Sequence, residues 1–304
     1  MAIKIWYGLT ATQIGNWAHA ANWLDTAGDP AASVPADGDD IYFTTGSQDV
    51  QASTISIASG SLDSLNFGTR WTGSFVTTVD ATEGDTTNDA LAAGVVAADV
   101  LDYANKIGRV ELTGVIPIVK IQATSIDSPA LKFNSCTIAT SLQITGGSGT
   151  VLIDDDCTVA ADISLLGAKK ARLEIEPKAN MTGADVTIDS GRLISYEELA
   201  TVTQYGGLVE MRNDSGTTTT YTLYEGTCKY KPTGAAVLTT LINYGGFFDM
   251  RGCPSPSHTI GSTTMYAGAF LDERNGLLNT TYSTPIVMNG GIMKCDVGRT
   301  VTVV

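Results

Sequence analysis

The stretch Val202-Thr-Gln-Tyr205-Gly-Gly207-Leu-Val209-Glu210-Met211 returns as Thr222-Leu-Tyr224-Glu-Gly226-Thr-Cys228-Lys229-Tyr230, and again as Tyr244-Gly-Gly246-Phe-Phe248-Asp249-Met250. Each copy holds a tyrosine, a turn glycine two places later, and then an apolar residue at every second position. Alternation with a period of two marks a strand with one dry and one wet face. Its return at a step of about 20 residues marks one coil of a β-solenoid.

Outward from this stretch, the same turn position is occupied by Gly108, Pro129, Gly149, Lys170, Gly191, Gly207, Gly226, Gly246, Gly268 and Gly291, at steps of 21, 20, 21, 21, 16, 19, 20, 22 and 23. Inward pairs follow most of these markers: Val110 and Leu112, Leu131 and Phe133, Val151 and Ile153, Met293 and Cys295. Outward residues such as Glu111, Lys132, Glu210, Lys229, Asp249 and Lys294 lie between the paired positions. A second strand precedes many markers, as at Leu142 to Thr145, Val186 to Asp189 and Ile286 to Met288. The expected fold is all-β: a parallel β-helix, right-handed, with about ten coils over 108–304.

Two side-chain ladders support that register. Asn134-Ser-Cys136-Thr-Ile138 recurs one coil later as Asp155-Asp-Cys157-Thr-Val159, and Met181 loosely continues it. Tyr205, Tyr224, Tyr244 and Tyr266 each lie two places before a marker and are predicted to stack as a column of rings. Such a column steadies neighbouring coils, and an exposed one also offers a surface to sugar rings.

With 304 residues, 43% apolar and 16% charged, the chain suits a large β-rich core and not a disordered polymer. Its formal net charge is −14, from 32 acidic and 18 basic residues, without a Lys/Arg cluster. Phosphate backbones and anionic membranes are repelled by that balance, so neither nucleic acid nor membrane is expected as a partner. The opening residues Met1 to Gly8 lack the pattern of a secretory signal, which gives the expectation of folding in a cytoplasm. Five cysteines, Cys136, Cys157, Cys228, Cys253 and Cys295, lack metal-ligand spacing; four fall on the repeat and are expected as buried thiols.

All four tryptophans, Trp6, Trp17, Trp23 and Trp71, lie in the first quarter of the chain. A solenoid end exposes apolar core and unpaired strand edges, so an aromatic-rich N-terminal cap is expected over 1–75, including irregular first coils. Residues 76–107 are acidic and are expected to form a loop or a short helical excursion before the regular solenoid of 108–304. The segment Asn16-Trp17, Asn22-Trp23, Ser33-Val34-Pro35-Ala-Asp-Gly-Asp39-Asp40-Ile41-Tyr42-Phe43 resembles the opening segments of secreted and viral β-helix proteins, where NW, VP and GDD lead into the first coils. That resemblance covers residues 16–57 and implies fold, not activity.

Chemistry is sparse along the chain. His19 and His258 have no acidic or histidine neighbour at a useful spacing, and Gly146-Gly147-Ser148-Gly149 lacks the Lys and Ser/Thr of a phosphate loop. Asp155, Glu176 and Glu197 each lie six positions beyond a marker, at equal steps of 21, so they are expected to stand one above another. At a strand spacing of about 4.8 Å, adjacent carboxylates fall near the separation of a retaining glycosidase and alternate ones near that of an inverting enzyme. The same three side chains, helped by Asp154 and Asp156, are candidate ligands for calcium, while the plainer expectation is that they splay into water. Lys169, Lys170, Arg172 and Lys178 lie near this column without forming the base-plus-calcium arrangement of a polysaccharide lyase.

A β-helix expected to fold in a cytoplasm without a signal is similar to the phage tailspikes, fibres and capsid decoration proteins. The resemblance implies a non-enzymatic virion surface protein, assembled in the host cytoplasm on major capsid or other virion proteins, and a homo-oligomer such as a trimer. A tailspike-type protein that binds or cleaves a host glycan stays open as the alternative. Expected contact residues are Trp6, Trp17 and Trp23 in the cap, and Val303 and Val304 at the last strand edge.

Overall fold

The computed structural model describes residues 2–8, 19–44, 54–57, 61–68, 77–79, 100–102, 107–122, 130–146, 150–154, 156–160, 162–167, 170–181, 183–254, 257–272 and 279–295. Among them regular structure is β apart from the three-residue 3-10 turn Ala20–Asn22. The strands pair as a parallel β-solenoid. The chain forms two compact units, Met1–Thr158 and Val159–Val304.

In the second unit the strands fall into two stacks. The leading stack contains Asp162–Leu165, Asp185–Ile188, Thr201–Gln204, Thr217–Leu223, Val237–Asn243 and Ser257–Met265; Asn279–Tyr282 and Ile286–Met288 both pair with the last of these. The following stack contains Arg172–Ile175, Arg192–Ser195, Leu208–Met211, Thr227–Tyr230, Phe247–Asp249, Ala269–Asp272 and Ile292–Cys295. Each strand pairs in parallel with the next member of its own stack, so one leading and one following strand make a turn of the coil.

Residues of equal rank lie over each other. One interior column runs Leu173, Leu193, Val209, Cys228, Phe248 and Phe270; the other runs Ile163, Val186, Val202, Tyr221, Leu241 and Thr263. All twelve are 0–1% exposed. Each fully buried large apolar side chain stabilises the fold by roughly 1.5–3 kcal/mol, so the core is built rung by rung. Strand Thr217–Leu223 buries Thr218, Tyr221 and Leu223, and its pairing skips Thr219. A step of three between buried positions breaks the strict alternation and marks a bend within the strand.

The solenoid has about seven turns, the number of strands in the following stack. In the first unit Gly108 falls inside the continuous strand Ile107–Ile121, which pairs with the equally long Ala130–Ile144, so no glycine turn separates two short strands there. Pro129 and Gly149 lie outside the described residues.

The first unit opens on strand Ile3–Trp6, which pairs antiparallel with Trp23–Leu24 and parallel with Asp39–Phe43. Trp6, Phe43, Phe67, Ile121 and Ile144 then follow in register. Trp6 and Trp23 meet edge to face at 5.0 Å, and Phe43 stacks on Phe67 at 4.6 Å. These four rings are 0–1% exposed and form the buried aromatic cluster of the N-terminal end. Asp39 of the GDD segment fixes the strand entry: its carboxylate accepts from the backbone N–H of Ala2 at 2.9 Å and of Ala36 at 3.0 Å. In the NW segment, Asn22 is buried and its carbonyl accepts from Tyr7 and Gly8.

Register survives a long interruption. Thr54 pairs with Arg109, 55 positions on, whereas the next rung from Arg109 to Lys132 takes 23. Within that interruption Thr77–Val79 and Val100–Asp102 pair antiparallel, so Val100 and Leu101, the end of the segment expected to be helical, are strand, while residues 80–99 and 103–106 lie outside the described residues.

Candidate functional site

The corner between leading and following strands is a glycine turn repeated coil after coil. The carbonyls of Ala171, Gly191, Gly207, Gly226, Gly246 and Gly268 accept from the N–H of Arg192, Leu208, Thr227, Phe247, Ala269 and Ile292 at 2.9–3.0 Å. Gly207 shows why the position resists a side chain: its φ is +71°, and a Cβ there would lie 2.6 Å from the Gly191 carbonyl oxygen. The turn pins the residue two places earlier at one height on every coil.

At that height stand Tyr205, Tyr224, Tyr244 and Tyr266, whose N–H groups donate to Ile188, Gln204, Leu223 and Asn243. Their rings stack at 4.8, 4.8 and 4.9 Å with interplanar angles of 11°, 7° and 6°. This spacing is that of the strands themselves, so the backbone ladder and the ring ladder are commensurate. The rings are 36–48% exposed. Stacking consumes the ring faces inside the column, and the outer faces of Tyr205 and Tyr266 end it.

Buried amides hold the turns from inside. Gln204 donates through Nε2 to the carbonyls of Gly206, Gly207 and Thr227, and its Oε1 accepts from the Tyr221 hydroxyl at 2.6 Å. Two coils on, Asn243 takes the same place: Nδ2 donates to Gly246 and Ala269, and Oδ1 accepts from the N–H groups of Gly245 and Gly246. Both amides are fully buried, and each satisfies turn groups that otherwise lose their bonds to water. The first residue after the turn adds exposed apolar surface at Phe247 and Ile292, 54% and 59% exposed. Tyrosines and these two residues make an apolar strip along the corner, the kind of feature that marks a contact surface.

The acidic corner is arranged differently. Ile175 pairs with Ser195 and the Tyr196 N–H donates to Ile175, so Glu176 is level with Tyr196, and Glu197 lies one position further. The equal sequence steps therefore do not place these two carboxylates in register; Ala171, not Lys170, is the turn residue of that coil. Glu197 instead accepts from the backbone N–H of Lys178, the one non-glycine residue with positive φ among those described. Burial pushes the Glu197 carboxyl up, with the Lys178 N–H opposing and the charges of Glu198 and Asp214 adding to the rise. Asp155 and Lys169 lie outside the described residues, and Arg172 pairs with Glu174. Among the described residues no group of three or more His, Cys, Asp or Glu side chains is placed to hold a metal ion.

A charged network that the repeat pattern alone does not mark lies on the wet face of the following stack. Glu210, 3% exposed, receives Arg212 and Arg192, and Arg212 also donates to the Tyr196 hydroxyl at 2.8 Å. Burial pushes the Glu210 carboxyl up, but the two guanidinium groups outweigh it and hold the group below its ordinary value. The signal in the sequence is the i, i+2 pair Glu210 and Arg212, which places both on one side of a strand.

Of the expected contact residues, Trp6 and Trp23 are interior, with their indoles spent on the cap and not presented to a partner. Trp17, Val303 and Val304 lie outside the described residues. His258 is buried with its ring against Tyr230 at 5.8 Å. Among the described residues no helix is long and apolar enough to cross a membrane. Comparison of the chain with protein-family models, with curated proteins and with solved structures finds no match in any of the three.

Proposed function

We propose that this chain is a non-enzymatic structural protein of a phage particle, a capsid decoration or other virion surface protein. The observation that carries the reading is the tyrosine corner: four rings that spend their faces on each other, above turns clamped by Gln204 and Asn243, form a stiff ridge suited to packing. Support also comes from the offset of Glu176 and Glu197, which leaves those two without a paired-carboxylate geometry. In this reading the protein assembles in the host cytoplasm on major capsid or other virion proteins, as a homo-oligomer, and the strip from Tyr205 to Ile292 is its contact ridge. Quantitative mass spectrometry of gradient-purified particles tests it. A copy number comparable with that of the major capsid protein is expected; absence from such particles overturns the proposal.

A tailspike-type glycan-binding role is the second reading, favoured by the aromatic exposure of the same ridge. It expects retarded migration of the protein in gels containing host polysaccharide, lost in Tyr205→Ala and Tyr266→Ala, whose outer ring faces end the column. Release of reducing ends abolished by Glu176→Gln is the result that makes it an enzyme.

A further inference from the structure

Within the first unit, two thiols from successive coils meet in the interior. Cys136 and Cys157, 6% and 1% exposed, have their sulfurs 3.8 Å apart. The Cys157 thiol donates to the Phe133 carbonyl at 2.8 Å, which leaves Cys136 to donate to the Cys157 sulfur. The Cys157 N–H is tied to the Asp154 carbonyl at 3.1 Å, so the backbone holds this sulfur in place. Cys136 lies in strand Ala130–Ile144, and Cys157 directly precedes the short strand Thr158–Val159, which pairs with it.

We propose that Cys136 and Cys157 are a covalent stitching site, closed to a disulfide that joins two successive coils when the protein meets a low-molecular-weight disulfide. The step balances without any further reagent. The Cys157 thiolate attacks one sulfur of the small disulfide, breaking its S–S bond and releasing one small thiolate. Cys136, having lost its proton to water, then attacks the Cys157 sulfur and expels the second small thiolate. Two protein thiols are oxidised, the small disulfide is reduced to two thiols, and the two protons go to the released thiolates. The order of attack follows from the hydrogen bond between the sulfurs: as donor, Cys136 has its thiol pushed well up, whereas Cys157, as acceptor, is lowered despite its burial. The remaining described thiols are built otherwise. Cys228 is packed between Val209 and Phe248, with burial raising its pKa to about 12, and Cys253 donates to the Pro232 carbonyl. The pair thus explains the cysteine ladder of the sequence, in which Cys136 and Cys157 recur one coil apart.

The experiment uses the full chain, reduced and then incubated natively with oxidised glutathione. Intact mass is expected to fall by about 2 Da, the two hydrogens of one disulfide. Peptide mapping is expected to join Cys136 to Cys157, and the melting temperature to rise on the order of 5 °C, reversibly with reductant. Cys228→Ser is expected to keep the mass loss and the shift; Cys157→Ser is expected to lose both. A stable glutathione adduct on either cysteine, a link to any other cysteine, or five alkylatable thiols after oxidant overturns the proposal. The wild-type peptide map decides it even where a cysteine variant does not fold.

Discussion

The tyrosine corner and the acidic corner belong to the same unit and to neighbouring coils, yet one forms a ladder and the other does not. Tyr205, Tyr224, Tyr244 and Tyr266 follow one another at unequal steps of 19, 20 and 22, and still stack within 4.9 Å. Glu176 and Glu197 are separated by the nominal 21 and fall out of register by one. Height along the coil is therefore set by hydrogen bonds at the glycine turn, not by a fixed residue count. Extra residues between turns are absorbed elsewhere in the coil, as the bend in Thr217–Leu223 and the long interruption before Arg109 both show.

Breaking the turn has the largest expected effect. Gly207→Ala places a Cβ against the Gly191 carbonyl at a φ that L-residues avoid, and is expected to destabilise the protein by about 2–4 kcal/mol in urea denaturation. An unchanged midpoint removes the turn as the register device.

Next comes Glu210, the charged counterpart of the stacked column. Glu210→Gln is expected to cost about 1–3 kcal/mol at neutral pH, because two guanidinium groups lose their acceptor charge. Since the folded carboxyl is held below its ordinary value, its stabilisation is present above the unfolded pKa of about 4.3 and is lost as pH falls through the folded one. The gap between wild type and variant should close on acidification; a gap that widens contradicts the network.

Truncating a ring comes third. Tyr224→Ala removes two stacking contacts and is expected to cost about 1–2 kcal/mol, with Tyr205→Ala at the end of the column costing about half as much. Equal costs indicate rings that act singly.

The smallest effect belongs to the acidic corner. Burial raises the Glu197 pKa, so its contribution is fully present below the unfolded value of about 4.3 and is lost as pH rises through the raised folded one. Glu197→Gln is expected to lie within about 0.5 kcal/mol of wild type at pH 7, or slightly above it, by thermal melting. A larger loss indicates a partner that the offset geometry does not provide.

The same distinction governs what is legible in the sequence. Alternation after Gly207, Gly226 and Gly246 makes the fold and the tyrosine ladder readable, because pattern and turn chemistry point the same way. The acidic column misleads because Lys170 stands beside the true turn residue, Ala171, and a slip of one residue turns every side chain to the other face. Trp6 and Trp23 are readable as cap material, but not their burial, which depends on the antiparallel return of Trp23–Leu24 onto Ile3–Trp6. The clamps of Gln204 and Asn243 carry no signal of their own, since an amide at an inward position becomes intelligible only once the turn carbonyls it satisfies are in place.

Disulfide trapping between coils tests the central claim most directly. In a background without the native cysteines, Thr203→Cys with Thr222→Cys joins partners that the turn places side by side. Thr203→Cys with Tyr224→Cys joins the pair that a fixed period of 21 requires. Rapid closure of the first pair and none of the second is the predicted result, and closure of the second alone contradicts a register set by the glycine turns.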